Sequence, residues 1–449
     1  MQKRKVYIET YGCQMNVADS EVVAGIMDSN NYAMANEAAE ADVIFVNTCS
    51  VRDNAEHRVH QRLQTLKKYK SNNAGVVIGV LGCMAERLRT ELIEKGNIVD
   101  LVVGPDEYRK LPELVENALS GEKGIAVRLS RVENYDDIVP LRTEGMSAWI
   151  SVMRGCDKFC TFCVVPFTRG RERSRSVKSI LEEVRRLSDT GFREITLLGQ
   201  NVNSYRDGDS DFADLMKAVS IIDRSIRIRF TTSHPQDMSE KLIRTIAENE
   251  NICKYIHVPV QSGSDRILKL MNRTYTSAQY LKLVEKIKYI IPAASLSTDI
   301  IAGFPTETEA DHKQTLEVMK QVRYDGAFMF KYSPRENTKA WDMGDDVSDE
   351  IKVQRLNEII ELQQKISLEQ NQPLIGQTVD VLVERESAKS SDEWMGRTDA
   401  NKVTVFPKGV AKVGDLVKIK VHKVNSATLF GNVEQEQIKT YEYHNVVNL

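Results

Sequence analysis

The stretch from Arg154 to Pro166 reads Arg154-Gly-Cys156-Asp-Lys-Phe-Cys160-Thr-Phe-Cys163-Val-Val-Pro166, and its three cysteines are the most informative residues of the chain. Thiolates are the usual ligands of iron–sulfur clusters, and three of them at this spacing can bind three irons of a cubane. A structural zinc or cluster site normally takes four protein ligands. The triad therefore predicts a cluster with one iron open to a substrate.

A zinc site is the main alternative for these cysteines. The nearest histidines in sequence, His60 and His234, lie far from the triad, and the bacterial ferredoxin run with a fourth cysteine before proline is absent. A redox-inert thiol cluster or zinc knuckle remains the alternative interpretation, but it lacks a fourth ligand.

Composition limits the class of protein. A chain of 449 residues with 41% hydrophobic and 28% charged residues is typical of a globular protein with two or three domains. The longest apolar stretch, 76–85, is about half of the ~20 residues that a membrane span needs, and no signal-peptide pattern follows Met1. Seven cysteines, an odd number, argue against a disulfide framework. We expect a cytoplasmic protein without a membrane segment.

The first part of the chain repeats one unit three times. In 6–16, 42–50 and 76–84, an apolar run ends at Cys13, Cys49 or Cys83. Such runs are typical of buried parallel strands, so residues 3–121 are predicted to form a doubly wound α/β domain. Strand ends of this fold share one edge, where the three sulfurs can converge on a second cluster. The alternative is three separate buried cysteines that act as small hydrophobes.

Residues 142–373 alternate six strand-like runs with amphipathic helices. This alternation predicts a barrel or partial barrel with its functional loops at the C-terminal strand ends. The cysteine triad follows the first of these strands. Cys253 lies at the start of a strand, and we interpret it as a core residue.

The Cys156-Cys160-Cys163 spacing resembles the radical S-adenosylmethionine (SAM) superfamily. The resemblance implies a six-unit partial barrel, SAM bound to the open iron, and a 5′-deoxyadenosyl radical that removes hydrogen from an unactivated carbon. Gly199-Gln200-Asn201 stands where the superfamily has Gly-Gly-Glu, which is a departure from its pattern. The residues expected to contact SAM are Phe162, Gln200, Asn201, Ser233, His234, Gln261, Ser262 and Asp299. The alternative for each strand-end residue is an ordinary polar turn.

Arginines alternate directly after the cysteine triad, at Arg169, Arg171, Arg173 and Arg175. In an extended chain, this period of two places all four on one face, where guanidinium groups would suit RNA phosphates. The net charge of −3 gives no overall attraction to nucleic acid, so binding would depend on such local patches. A solvated charged loop is the alternative.

From residue 374 to 439 the pattern changes to short alternating strands, which predicts a small all-β barrel. This module resembles the TRAM domain, an RNA-binding barrel of tRNA-modifying enzymes. Arg397 is its candidate RNA-binding residue. A barrel that only packs on the catalytic domain is the alternative.

The order of the three modules resembles the methylthiotransferases, and Tyr11-Gly-Cys13-Gln-Met-Asn16 together with 155–172 resembles their MiaB branch. This implies two [4Fe-4S] clusters, SAM as methyl donor and radical source, and methylthiolation at C2 of N6-isopentenyladenosine beside the anticodon. The metal ligands and catalytic residues would be Cys13, Cys49, Cys83, Cys156, Cys160 and Cys163. The implied partners are a tRNA anticodon stem-loop and a reductant such as flavodoxin or ferredoxin, with a monomeric enzyme.

Three alternatives remain at this point. Two are methylthiotransferases that act on threonylcarbamoyl-adenosine in tRNA or on an aspartate of a ribosomal protein. The third is a non-catalytic iron–sulfur protein that binds RNA or transfers electrons.

Overall fold

The structure is a computed structural model that describes residues 3–50, 53–73, 75–94, 98–142 and 145–439. Within these ranges, every helix is too short or too polar to cross a bilayer.

The N-terminal part is a parallel sheet of six strands in the order β2-β1-β3-β4-β5-β6. Its strands are β1 Lys5–Tyr11, β2 Ala33–Met34, β3 Val43–Thr48, β4 Val77–Gly82, β5 Leu101–Val103 and β6 Gly124–Ala126. Its helices are α1 Gln14–Ser29, α2 Asp53–Asn72, α3 Cys83–Leu88, α4 Thr90–Glu94 and α5 Leu111–Leu119. β3 and β4 are buried along their whole length, as expected for central strands covered on both faces. The predicted doubly wound domain is confirmed, and its sheet extends past residue 121.

The central part is a partial barrel of six parallel strands. They are β7 Ser147–Ser151, β10 Glu194–Leu198, β13 Arg227–Thr231, β14 Tyr255–His257, β15 Ser295–Ala302 and β16 Gly326–Lys331. They form two three-stranded sheets, joined by a parallel bridge between Ile228 and Ile252. The short ribbons of this part are β8 Met153–Arg154, β9 Arg173–Ser174, β11 Arg206–Asp207 and β12 Ser210–Asp211. The predicted partial barrel is confirmed.

Helices cover the outer face of this barrel, except for two short ones at its C-terminal end. The helices of this part are α6 Val165–Thr168, α7 Val177–Asp189, α8 Phe212–Ser220, α9 Glu240–Glu248, α10 Asp265–Leu270, α11 Ser277–Ile290, α12 Glu309–Val322, α13 Lys339–Asp342 and α14 Asp349–Asn371. The exceptions are the short α6 and α13, which lie beside the cysteine loop. Apolar side chains of the strands, such as Ile150, Leu197 and Ile300, pack against the other helices in one core. Cys253 is buried, as predicted for a core residue.

The C-terminal part is a closed five-stranded barrel in the order β17-β18-β19-β21-β20. Its strands are β17 Thr378–Ser387, β18 Ser390–Thr398, β19 Val403–Pro407, β20 Leu416–Val424 and β21 Thr428–Lys439. The end of β18 and the turn after it dock on the first residues of the central strands: Arg229 Nη2 donates to Thr398 O at 2.8 Å, and the Lys254 N–H donates to Asp399 at 3.0 Å. The small barrel therefore closes the N-terminal end of the central one.

Candidate active site

The first triad lies at the edge where the strands of the N-terminal sheet end. Cys13 precedes α1, Cys49 follows β3, and Cys83 is the first residue of α3. β1 and β3 are neighbours in the sheet although β2 lies between them in sequence, so Cys13 and Cys49 flank the point where the strand order reverses. Open α/β sheets bind their ligands at this point. Cys49 and Cys83 are buried, whereas Cys13 is exposed.

Two asparagines hold this edge in shape. Asn16 accepts from the Cys13 N–H at 3.2 Å and donates to Thr48 O at 3.1 Å, and Asn47 donates to Asn16 O at 2.9 Å. Both amides are fully buried. They tie the residues around Cys13 to the strand that precedes Cys49.

Glycine is required at two positions beside these asparagines. A Cβ at Gly12 would lie 2.2 Å from Asn16 Oδ1, and one at Gly82 would lie 2.5 Å from Thr48 O. Gly82 also has φ +89°, which side chains rarely allow. The glycines before Cys13 and Cys83 therefore permit the close approach of backbone around the triad.

The second triad lies on the loop after β8, at the C-terminal end of the central barrel. The Cys156 N–H donates to Gly170 O at 3.1 Å, and the Cys163 N–H donates to Cys160 O at 3.0 Å. Between the cysteines, Thr161 donates through its N–H to Met271 O at 3.1 Å and through its hydroxyl to Leu270 O at 2.9 Å. The loop is thus fixed against the end of α10.

The electrostatic setting of the thiols differs between them. Burial raises the pKa of Cys156 and of Cys163 to about 12, and it also raises the pKa of Cys83. The pKa of Cys13 is lowered to about 6, chiefly by a hydrogen bond with Cys49 and also by the nearby Arg169. Buried thiolates of this kind need a compensating positive charge, which iron provides.

Each triad offers three thiols, a donor set that an iron–sulfur cluster takes. Among the described residues, no three His, Cys, Asp or Glu side chains are arranged to bind one metal ion. In a cubane each thiolate binds a different iron, so the ligands stand farther apart than those of one ion. An arginine contacts one sulfur of each triad: Arg169 Nε lies 3.2 Å from Cys83 Sγ, and Arg273 Nη1 lies 3.3 Å from Cys160 Sγ.

Arg169 connects the loop that carries the second triad to Cys83 of the first triad. It follows α6, which begins two residues after Cys163, and it reaches Cys83 of the N-terminal sheet. Its Nη2 also binds Asp19 of α1 at 2.8 Å, and Arg154 Nη1 binds the other oxygen of Asp19 at 2.8 Å. These side chains are all at most 4% exposed. A buried charge network therefore fixes one cysteine triad against the other.

Polar atoms without partners lie at the strand ends beside the second triad. Within the described part of the chain, both amide atoms of Gln200, Asn201 Oδ1 and Ser233 Oγ are buried and make no hydrogen bond. Gln200 and Asn201 follow β10, and Ser233 follows β13. Such atoms are costly unless a ligand pairs with them, so they fit the polar groups of a bound cofactor.

The other predicted cofactor residues lie around the same edge. Burial and the positive charges of Arg273 and Lys158 lower the pKa of His234 to about 2, which keeps its ring neutral. Asp299 Oδ1 lies 3.5 Å from His257 Nε2, and Phe162 packs edge-on to Phe304 with ring centroids 6.5 Å apart.

The next turn contains Gln261 and Ser262. Gln261 has φ +69°, and its N–H donates to Asp299 O at 2.9 Å. Ser262 is fully buried, and its hydroxyl accepts from the Ser264 N–H at 3.2 Å. The structure places Ser262 inside the turn that begins α10.

The predicted arginine face is wrong for three of its four members. Arg169, Arg173 and Arg175 are buried at 3%, 7% and 5% exposure, and only Arg171 is exposed. Arg173 Nη2 binds Asp106 at 2.8 Å, and Arg175 Nη1 binds Glu183 at 2.7 Å. Asp106 lies 67 residues from Arg173 in sequence, whereas Glu183 lies only 8 residues after Arg175, on α7. The alternation therefore places charges in internal ion pairs and not on a phosphate-binding surface.

Arg397 takes part in the contact between the small barrel and the central one. It lies at the end of β18, where the small barrel meets the central one. Its Nη1 binds Glu384 at 2.6 Å, and its backbone carbonyl accepts from Arg227 Nη1 at 2.7 Å. This junction is at the end of the central barrel opposite the cysteines, and the Arg397 side chain is 36% exposed there, so its RNA contact stays a prediction.

The sequence analysis missed the residues that support the site: Asn16, Asp19, Asn47, Arg154 and Arg273. Asn47 carried a usable signal, because it is the first amide after the apolar run 43–46. The partners of Arg154 and Arg273 are distant in sequence and carried no such signal.

Comparisons with known proteins agree with the three-part architecture. Residues 5–104 match the uncharacterized protein family UPF0004, residues 150–319 match the radical SAM superfamily, and residues 372–433 match the TRAM domain. Among solved structures, the chain is similar to the radical S-adenosylmethionine methyltransferase TsrM from Kitasatospora setae, with TM-score 0.57 and 14% identity over 76% of this chain and 77% of that chain. At this identity the likeness concerns the fold.

Two curated relatives match almost the whole chain. The tRNA-2-methylthio-N(6)-dimethylallyladenosine synthase of Chloroherpeton thalassium is 56% identical over 434 residues, covering 96% of both proteins. The protein of the same name from Parabacteroides distasonis is 52% identical over 441 residues, covering 97% of this chain and 96% of that protein.

Proposed function

This chain belongs to the family of tRNA-2-methylthio-N(6)-dimethylallyladenosine synthases, and from that premise we propose which of its residues perform the reaction. It is a radical SAM methylthiotransferase that modifies C2 of N6-isopentenyladenosine in tRNA, next to the anticodon. The prediction of the MiaB branch is therefore confirmed, and the relatives favour it over the three alternatives raised by the sequence.

The enzyme uses two [4Fe-4S] clusters and SAM. When bound, these groups supply the radical that removes the C2 hydrogen and the methylated sulfur that replaces it. We assign Cys156, Cys160 and Cys163 to the cluster that binds SAM, and Cys13, Cys49 and Cys83 to the auxiliary cluster. C2 of adenine is neither acidic nor electrophilic, so no general base or nucleophile of the protein is required there.

The residues around the second triad bind and orient SAM in this proposal. The unpartnered atoms of Gln200, Asn201 and Ser233 would form hydrogen bonds with the polar groups of SAM. The neutral amides of Gln200 and Asn201 would then take the place of the acidic residue in the superfamily pattern. His234 stays uncharged and so does not repel a sulfonium. Phe162, Gln261 and Asp299 line the remainder of the same edge, while Ser262 supports the turn.

Arginines position the clusters and join the two halves of the site. Arg273 donates to Cys160 and Arg169 to Cys83. Hydrogen bonds to cluster sulfurs tune reduction potential, and Arg169 in addition anchors α6 to Asp19.

The remaining parts of the proposal concern partners and boundaries. Arg171, exposed beside the second triad, stays a candidate phosphate contact for the anticodon stem-loop. We further propose a cytoplasmic monomer, reduced by flavodoxin or ferredoxin, with domains at 142–373 and 374–439 and an N-terminal domain that extends beyond the expected 3–121 to include β6. All seven cysteines are free, which fits a reducing compartment.

The contact between Arg169 and Cys83 carries the proposal, because it joins the radical-generating loop to the sulfur-bearing triad. The test is anaerobic reconstitution of both clusters, incubation with SAM, a reductant and isopentenylated tRNA, and mass analysis of the nucleosides. We expect 2-methylthio-N6-isopentenyladenosine. Full cluster occupancy and SAM cleavage without that product would contradict the proposed function.

A further inference from the structure

An open cleft of about 500 Å³ lies beside the second triad and has no role in the site described above. Its lining residues are Phe167, Glu336, Asn337, Thr338, Lys339, Trp341 and Asp342. The two aromatic side chains are unusually exposed for their type, Phe167 at 51% and Trp341 at 46%. Exposed large apolar groups clustered in one concave place mark a binding surface.

Both rings are mounted on fixed backbone. Phe167 belongs to α6, whose following residue Arg169 is anchored to Asp19 and Cys83. Trp341 belongs to α13, where Thr338 caps the helix by accepting from the Trp341 N–H at 3.3 Å. The neighbouring Ala340 is fully buried and donates through its N–H to Thr161 O at 2.9 Å. The rings are therefore held in place at the rim and do not belong to a mobile loop.

The cleft adjoins the loop of the second triad and lies one helix away from Cys83 of the first. Thr161 lies between Cys160 and Cys163, so α13 rests on the cluster-binding loop itself. On the other side, α6 packs against α3, the helix that begins at Cys83. A group held between Phe167 and Trp341 would thus stand next to the place where the target carbon must enter.

We propose that this cleft binds one unpaired base of the tRNA anticodon loop, a nucleotide adjacent to the modified adenosine. The inference rests on the proposed function, because it takes single-stranded tRNA as the ligand. Single-stranded RNA is recognised by stacking of splayed bases on aromatic side chains, and every base offers such a face. Lys339, exposed on the same lining, can meet the adjoining phosphate, and Asn337 offers an amide to a base edge. The carboxylates of Glu336 and Asp342 repel phosphate, so they favour a base over a backbone segment in the cleft, because they can accept hydrogen bonds from base amino groups. Holding the neighbouring base would turn the target adenosine out of its stack.

The experiment measures binding of a fluorescent, isopentenylated anticodon stem-loop RNA to the reconstituted enzyme by anisotropy. Phe167→Ala and Trp341→Ala each remove one stacking surface, and we expect Kd to rise roughly 5- to 150-fold. Trp341→Phe should restore most of the affinity. Tyr289→Ala, which removes an 87%-exposed aromatic ring from the end of α11, is the matched control and should leave Kd unchanged.

A second arm identifies the base. Stem-loops with an abasic site on either side of the target adenosine are compared on wild type and on Trp341→Ala. At one of the two positions, removal of the base should weaken binding to wild type as much as Trp341→Ala weakens binding of the intact RNA. The same abasic RNA should then bind Trp341→Ala no more weakly than the intact RNA does. Iron content and SAM cleavage without RNA serve as folding controls and should match wild type.

Several outcomes would overturn the inference. One is unchanged RNA affinity in both alanine variants, and another is additive losses at every abasic position. A third is a defect confined to reduction by flavodoxin, which would make the cleft a surface for the electron donor. The first result, together with wild-type product formation, would reject the base pocket while the proposed function stands. Absence of product from wild type would reject the function instead.

Discussion

Replacing Asp19 by asparagine tests the buried charge network that joins the N-terminal sheet to the central barrel. Asp19 is fully buried, and its two oxygens bind Arg154 and Arg169, each at 2.8 Å. Asp19→Asn preserves the volume of the side chain but leaves two buried guanidinium groups without their shared counter-ion. Loss of one partner of a buried ion pair typically costs about 3–5 kcal/mol.

That cost converts into a measurable change in thermal stability. For a unit of 150–250 residues, each kcal/mol lowers Tm by roughly 2–4 °C, so we expect a fall of roughly 6–20 °C in a thermal scan of the variant. The double variant Asp19→Asn with Arg169→Met removes the excess charge and should recover part of the loss. Arg171→Ala, at an exposed ion pair, is the control and should leave Tm close to wild type.

The reasoning is refuted by either of two results. One is a Tm of Asp19→Asn within about 2 °C of wild type, which corresponds to less than about 1 kcal/mol. The other is a double variant whose loss equals the sum of the two single losses, since this would mean that Asp19 and Arg169 do not interact.

Three further predictions concern the clusters and the strand-end residues. Cys49→Ser should halve the iron content and abolish the methylthio product while SAM cleavage to 5′-deoxyadenosine persists; loss of both activities would contradict separate clusters. Arg273→Met removes the donor to Cys160 and should lower the reduction potential of the SAM-binding cluster in an EPR-monitored titration, with partial recovery in Arg273→Lys; an unchanged potential would exclude the contact. The pKa of His234 is about 2 in the folded protein and about 6.5 in the unfolded chain, so the unfolded chain takes up the proton first as pH falls. The free energy of unfolding should therefore fall by up to about 1.4 kcal/mol per pH unit below about pH 6.5. His234→Asn should flatten this part of the Tm-against-pH curve, and an unaltered slope would count against the neutral ring.

Sequence patterns were sufficient to predict the three-part fold and the position of both triads. Three apolar runs that each end in a cysteine place Cys13, Cys49 and Cys83 at one sheet edge, because parallel strands end on the same side. The six central strands lie where alternation of apolar runs and helices indicated. In each case the signal is local in sequence and repeated, so it does not depend on unknown tertiary contacts.

The burial of three arginines could not be predicted from the sequence. Alternation at 169–175 predicts one exposed face, yet Arg169, Arg173 and Arg175 pair with Asp19, Asp106 and Glu183. Two of these carboxylates belong to the N-terminal part, so their proximity is created by packing between domains. A charged side chain in sequence carries no information about such a distant partner.

The unpartnered atoms of Gln200 and Ser233 were equally inaccessible from sequence. The resemblance predicted Gln200 and Ser233 as SAM contacts, but the residues themselves were equally compatible with polar turns at strand ends, which are usually satisfied by neighbouring backbone. Only the three-dimensional arrangement shows that their atoms are buried without hydrogen bonds.

The most direct test of the central claim is the location of iron in the reconstituted protein by anomalous X-ray scattering. The account predicts two separate iron centres, one bound by Cys13, Cys49 and Cys83 and one by Cys156, Cys160 and Cys163, with Arg169 beside them and a common solvent cavity between. A single iron centre, or two centres that open into different cavities, would contradict it.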